Sequence, residues 1–165
     1  MSESKLAAAL QYAGRGWYVF PVPPGKKKGY VKGANGNGLR WGCTTDPAEI
    51  ERYWARWPNA NIGIATGAES GIFVVETDTP EGHGVDGAAS LKELEAANGP
   101  LPLTLMAMSP TGSVHRYFRH PGGKVVSRSI APGVDVKGDG GMVVAPPSTV
   151  PGKGSYEWVN HDPIA

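Results

Sequence analysis

Glu76 and Asp78 close the apolar run FVVETD. Alternation along a strand puts side chains at i and i+2 on one face, about 7 Å apart. Two carboxylates on one surface repel each other, which is harmless in open water and useful around a divalent cation. Asp135, in GVDVKGD, repeats the pattern: it lies between Val134 and Val136 and should point away from both. Three acids on two strands can surround two metal ions about 3.5–4 Å apart, an arrangement that activates an attacking hydroxyl and stabilises a leaving phosphate. Oxygen ligands of this kind favour Mg²⁺ or Mn²⁺ over zinc. Spacing alone leaves a second reading open, in which strand-end acids simply face solvent.

A second group of polar residues stands in SPTGSVHRYF, where a Gly-containing turn runs into a strand. Alternation there puts Ser113, His115 and Tyr117 on one face. A lone histidine is commonly a satisfied structural residue. After a turn it has another use, since the Gly112 N–H, the Ser113 hydroxyl and the imidazole together could hold a triphosphate. In NIGIATG, Gly63 and Gly67 mark a strand edge where a base or sugar could approach the backbone, or an ordinary strand and turn. The chain has no G-x-x-x-x-G-K-[ST] and so no P-loop motor signature.

Charge is distributed unevenly although the net value is only +1. Residues 26–40 carry Lys26, Lys27, Lys28, Lys32 and Arg40 and no acid, whereas residues 69–100 carry seven acids with Lys92 as the one Lys or Arg. Such runs read either as solvated faces or as a basic nucleic-acid track beside an acidic, metal-binding centre. With 165 residues the chain has room for one ordinary domain. A hydrophobic content of 40% excludes wholesale disorder. The 24 glycines and 15 prolines favour strands joined by tight turns over a helical bundle. One cysteine, Cys43, excludes an internal disulfide and a thiolate zinc cluster. With no signal segment and no membrane span visible, the expected location is cytoplasmic.

The elements that must position these residues read as follows. Residues 3–15 have helical spacing of Leu6, Leu10 and Ala13, ended by Gly14 or Gly16. WYVFPV is a buried strand followed by a long basic loop. Asp46, Pro47 and Glu49 give cap, first position and capping box for a helix over 47–57. NIGIATG and SGIFVVETD suggest a pair of strands, and GVDGAASLKELEAANG a helix buried along Leu91 and Leu94. Further strands follow at TLMAMSP, VHRYF, GVDVKG, GMVVAPPS and SYEWV, with Pro146 and Pro147 ending the fourth of these. The order predicts an α+β domain with a mixed or antiparallel sheet.

In this order, AALQYAGRGWYVFPVPPGKK, WARWPNANIGIATG, SGIFVVETD, SPTGSVHRYF, GVDVKGDGGMVVAPPS and SYEW resemble the bifunctional primase–polymerase domain of phage and plasmid replication proteins, in the archaeo-eukaryotic primase superfamily. The resemblance spans nearly the whole chain. It implies an archaeo-eukaryotic primase-like core whose sheet is similar to that of RNA-recognition domains, with an N-terminal αβ unit beside it. It also implies a template-directed nucleotidyltransferase that adds nucleotides from an NTP or dNTP and releases pyrophosphate. Glu76, Asp78 and Asp135 would bind two Mg²⁺ or Mn²⁺ ions, and His115 would contact the nucleotide's phosphates beside Ser113. Lys137 would touch phosphate or template. Lys26, Lys27, Lys28, Lys32 and Arg40, extended by Arg116, Arg119 and Arg128, would track a single-stranded DNA template and its primer. The chain would be the N-terminal part of a larger replication protein, with a helicase domain or protein as partner.

Two positions depart from the family pattern: Glu76 stands where Asp is usual, and Ser113 where Gly is common. The extra methylene of Glu76 would displace a metal by about 1 Å unless the backbone compensates, a misplacement that can cost roughly 10²-fold in rate. This motivates an alternative of another class, a nucleotide- or single-strand-binding module with weakened catalysis, in which Trp17, Trp41, Trp54 and Trp57 are candidate stacking surfaces. A metal-dependent nuclease built on the same acids is a third reading.

Overall fold

The computed structural model describes residues 3–32 and 39–165, so the 33–38 portion of the expected basic loop lies outside the described residues. Along the chain run α1 (Lys5–Gly14), β1 (Val19–Val22), α2 (Pro47–Arg56), β2 (Asn61–Ala65), β3 (Ile72–Thr77) and α3 (Pro80–His83). They are followed by α4 (Gly87–Asn98), β4 (Met106–Met108), β5 (Val114–Arg119), β6 (Arg128–Ala131), β7 (Val134–Lys137) and β8 (Met142–Ala145). The short strands β9 (Thr149–Val150), β10 (Gly154–Ser155) and β11 (Glu157–Trp158) complete the order. The chain is thus α+β, and every pairing between these strands is antiparallel.

Local chemistry sets the helix ends. Ser4 caps α1 by accepting from Ala7 N, and Asp46 caps α2 by accepting from Ala48 N with Pro47 in the first turn. The expected capping box is altered: the Asp46 N–H donates to Thr44 Oγ1, while Glu49 accepts from the Tyr53 hydroxyl. Asp86 caps α4, and Gly99 at φ 94° ends it. On α1 the deepest residues are Ala8, Ala9, Tyr12 and Ala13, with Leu6 and Leu10 only partly buried. The small alanines leave room for Tyr12 to stack on Trp17 at 5.6 Å and to donate to Pro146 O.

Strands form two main sheets instead of one. Order β1-β2-β8 makes the smaller, order β11-β4-β5-β3-β7-β6 the larger, and β9 with β10 makes a separate hairpin. The strands expected to be a pair, β2 and β3, therefore part company: β2 lies between β1 and β8, β3 between β5 and β7, and one bridge, Gly67 to Ile72, joins their ends. Both are apolar enough to be central strands, which is why each takes the middle of its own sheet. One core cluster joins α1 and α2 to both sheets through Trp17, Ile50, Ile62, Val74 and Tyr117. On the other face of the large sheet, Val75, Phe118 and Val134 pack against Leu91 of α4. No helix among the described residues is long and apolar enough to cross a membrane.

Cys43 is fully buried beside Phe20 and Val22, and burial pushes its thiol up to about 11. At pH 8 only about one thiol in a thousand is then ionised, so a disulfide reagent should label the folded protein at least about 100-fold more slowly than the denatured chain. Immediate stoichiometric labelling of the native protein would contradict this packing.

Candidate active site

Glu76 sits on β3 directly opposite Asp135 on β7 and His115 on β5. Cross-strand partners share a face, so Asp135, Glu76 and His115 stand in a row across the large sheet. Asp78 lies one residue beyond β3, where its N–H donates to Gly133 O at 2.8 Å and its carbonyl accepts from Gly87 N at 2.9 Å. Close approach at this corner requires glycine, because a side-chain carbon on Gly87 would come 2.2 Å from Gly133 O. The corner brings the acids together: ligand oxygens of Glu76, Asp78 and Asp135 all lie within 4.8 Å of one another.

Electrostatics record the crowding. Burial, then the neighbouring Glu76 carboxylate, raises the pKa of Asp78, opposed by the nearby His83 and by a 3.2 Å hydrogen bond from Ser113 Oγ. Glu76 itself is buried, and Lys137 Nζ lies 3.5 Å from Asp135 Oδ2. Three carboxylates whose ligand oxygens lie this close fit a divalent cation, which would relieve the charge crowding felt at Asp78 with the hard ligands it prefers.

Beside the acids lie donors. His115 is 5% exposed, its Nε2 is 3.3 Å from Glu76 Oε2, and its Nδ1 has no hydrogen-bond partner. Burial first, then the cations of Lys27 and Lys137, push its pKa down to about 4 against the pull of Asp78, so the ring is neutral at pH 7. The turn that carries Ser113 is braced by hydroxyls: Ser113 N donates to Ser109 Oγ, and Thr79 Oγ1 donates to Thr111 O at 2.6 Å. Thr79 follows Asp78 directly, so this bond ties the acidic strand end to the turn.

A cleft of about 460 Å³ opens here, its lining including Glu76, Ser113, His115, Lys137, Lys26 and Lys27, all expected from the sequence, while Asp78 and Asp135 stand beside Glu76 outside that lining. It also includes Trp41, stacked on Phe20 at 5.0 Å, while Trp17 and Trp54 belong to the core and Trp57 stacks on Tyr30. Among the lining residues that escaped the sequence reading are His83, Lys153 and Tyr156. Thr79-Pro80 before His83 is the same cap-plus-proline signal that located α2, and PGKG around Lys153 is a hairpin-turn signal.

Several expected residues stand elsewhere. Gly63 gives its space to the protein's own Phe20 ring, which would meet a side-chain carbon there at 2.4 Å, so no base or sugar approaches it. Gly67, at φ 117°, packs likewise against Asp139. Arg40 is committed internally, paired with Glu69 and donating to Thr66 O at 2.7 Å and Gly141 O at 2.9 Å, which removes it from a free template track. Arg116 lies on the opposite face of β5 from His115, donating to Thr77 Oγ1. Arg119 donates to Ile164 O. Arg128 pairs with Val136 and so falls on the face opposite Asp135. Lys28 and Lys32 are exposed, outside the cleft lining.

Residues 9–165 match the model of the Prim-Pol family, described as the N-terminal domain of bifunctional DNA primase/polymerase, and the chain belongs to that family. It is therefore a primase/polymerase-type domain, for which DNA and nucleotides are the substrates. No curated protein matches the chain.

The raised pKa of Asp78 has a defined sign. Between the ordinary value of 3.8 and the raised one, the native state holds a proton that the unfolded chain has released, so stability falls as pH rises through that window. In chelator at pH 7, Asp78→Asn should accordingly melt higher than the wild type, with the difference vanishing as pH falls below 3.8. Adding Mn²⁺ should raise the melting temperature of the wild type far more than that of the variant. A variant that melts lower in chelator would contradict the crowded-acid account.

Proposed function

We propose that the chain is a template-directed nucleotidyltransferase that extends a primer on single-stranded DNA from nucleoside triphosphates. The carrying observation is the row Asp135–Glu76–His115, which sets acceptors beside a donor on one face of the large sheet, with Glu76 and His115 lining the cleft. Glu76, Asp78 and Asp135 would hold two Mg²⁺ or Mn²⁺ ions, whose chemistry when bound is to activate the primer 3′-hydroxyl and stabilise the departing pyrophosphate. The neutral His115 carries one ring N–H; directed from Nε2 at Glu76 in the free protein, it would be the donor available to a phosphate oxygen once a cation takes that carboxylate, and the Ser113 hydroxyl stands beside it. Lys26, Lys27 and Lys137 supply point charges in the lining of the same cleft. In the reaction the hydroxyl oxygen bonds to the α-phosphorus as the α–β phosphoanhydride bond breaks. The exposed Lys28 and Lys32 extend the basic side of the cleft towards the DNA backbone.

Support for Glu76 in place of the usual Asp comes from its neighbour: the imidazole 3.3 Å away braces the longer side chain. The family's description as an N-terminal domain supports a further reading of the chain as the catalytic module of a larger replication protein, and a helicase partner belongs to that same reading as an expectation.

Extension of a labelled primer on single-stranded template should require a divalent ion, cease with EDTA, and be lost in Asp78→Ala and in Asp135→Ala. Glu76→Asp should slow it by about 10–100-fold, since the braced geometry suits the longer acid. Undiminished extension in either alanine variant would refute the site assignment. Nucleotide binding with no extension at all would replace the polymerase with a binding module, and shortening of the primer would replace it with a nuclease.

A further inference from the structure

His83 belongs to none of the roles above, yet it stands against the acids. It ends α3, five residues after Asp78, and its Nε2 lies 3.5 Å from Asp78 Oδ1. That separation exceeds the usual hydrogen-bond range of about 2.7–3.2 Å. It matches instead two ligands of one octahedral ion, which with bonds of about 2.1 Å sit about 3–4 Å apart. The side chain is 42% exposed and lines the cleft, and among the described residues its ring has no polar partner other than Asp78.

The placement is rigid. Thr79 caps α3 by accepting from Gly82 N, and His83 N donates to Thr79 O at 2.9 Å. Gly82 packs so closely on the turn that a side-chain carbon there would come 2.9 Å from Thr111 Oγ1. One short segment therefore fixes the backbone that carries the Asp78 carboxylate and the imidazole. A second observation lies in the same cleft: His115, which lines it, is buried with an Nδ1 that has no hydrogen-bond partner in the protein, a polar group left unsatisfied beside the acids.

We propose that His83 is a nitrogen ligand of the metal centre, seating an ion between its Nε2 and Asp78 Oδ1. The inference rests on reading Glu76, Asp78 and Asp135 as metal ligands. Its consequence is metal choice. Mg²⁺ is a hard cation that takes oxygen ligands, whereas Mn²⁺ tolerates an imidazole among carboxylates, so His83 tilts the centre towards Mn²⁺.

The test is pulsed electron paramagnetic resonance of the Mn²⁺-loaded protein, which detects ¹⁴N bonded to the ion. The wild type should show nitrogen modulation, and His83→Ala should remove it. By calorimetry the same change should weaken Mn²⁺ binding about 10-fold and Mg²⁺ binding less than twofold. His83→Asn, of similar polarity, should behave like the alanine variant, and both should keep the wild-type melting temperature in chelator. Mn²⁺ bound without nitrogen modulation, or modulation that survives in His83→Ala, overturns the role of His83 and leaves the acids as ligands. A wild type that binds no Mn²⁺ overturns the metal centre itself.

Discussion

Mutual repulsion of three carboxylates is the constraint on which the cleft depends. Adjacent antiparallel strands put Glu76 opposite Asp135, and the corner after β3 turns Asp78 onto the same pair. At separations under 5 Å such charges oppose one another by on the order of a kcal/mol even when well screened. The fold tolerates this because the sheet's opposite face is secured by Val75, Phe118 and Val134 against α4, and its near face by the shared core. Glycine at positions 87 and 133 allows the tight corner, so backbone geometry holds the acids together against their own repulsion. A stiff scaffold of this kind is what a cation site requires, since ligands arranged in advance need no reorganisation when the ion arrives.

The cleft has a chemical polarity that follows from register. Moving across β7, β3 and β5, the chain presents Asp135, then Glu76, then the neutral imidazole of His115, with Lys26 and Lys27 of the basic loop lining the cleft beside them. Acidic acceptors and cationic or neutral donors thus stand side by side, Lys137 against Asp135 and His115 against Glu76. A polyphosphate carrying divalent ions has the complementary arrangement, which is why the Prim-Pol assignment and the geometry agree on the type of substrate. The hydroxyl bonds through Thr79, Thr111, Ser109 and Ser113 join the two halves, so a shift of the acidic corner would carry the donor turn with it.

Much of this was legible in the sequence because it depends on short-range rules. Alternation located Glu76, Asp135 and His115 on strands, and cap signals at Asp46-Pro47 located α2. What escaped depends on contacts between distant segments. Two apolar strands close in sequence look like partners, and nothing local says that β8, some eighty residues later, will claim β2. Gly63 looks like a ligand approach until Phe20 fills the space. Arg40 looks like a free cation until Glu69 and two carbonyls take it. His83 lay in the shadow of the acids because a four-residue helix gives too little periodicity to notice.

Diffraction from crystals soaked in Mn²⁺, recorded at the manganese absorption edge, tests the central claim most directly. An anomalous peak within bonding distance of Glu76, Asp78 and Asp135 is the result the account predicts. Strong peaks elsewhere with none among these acids, at a concentration that supports primer extension, would contradict it.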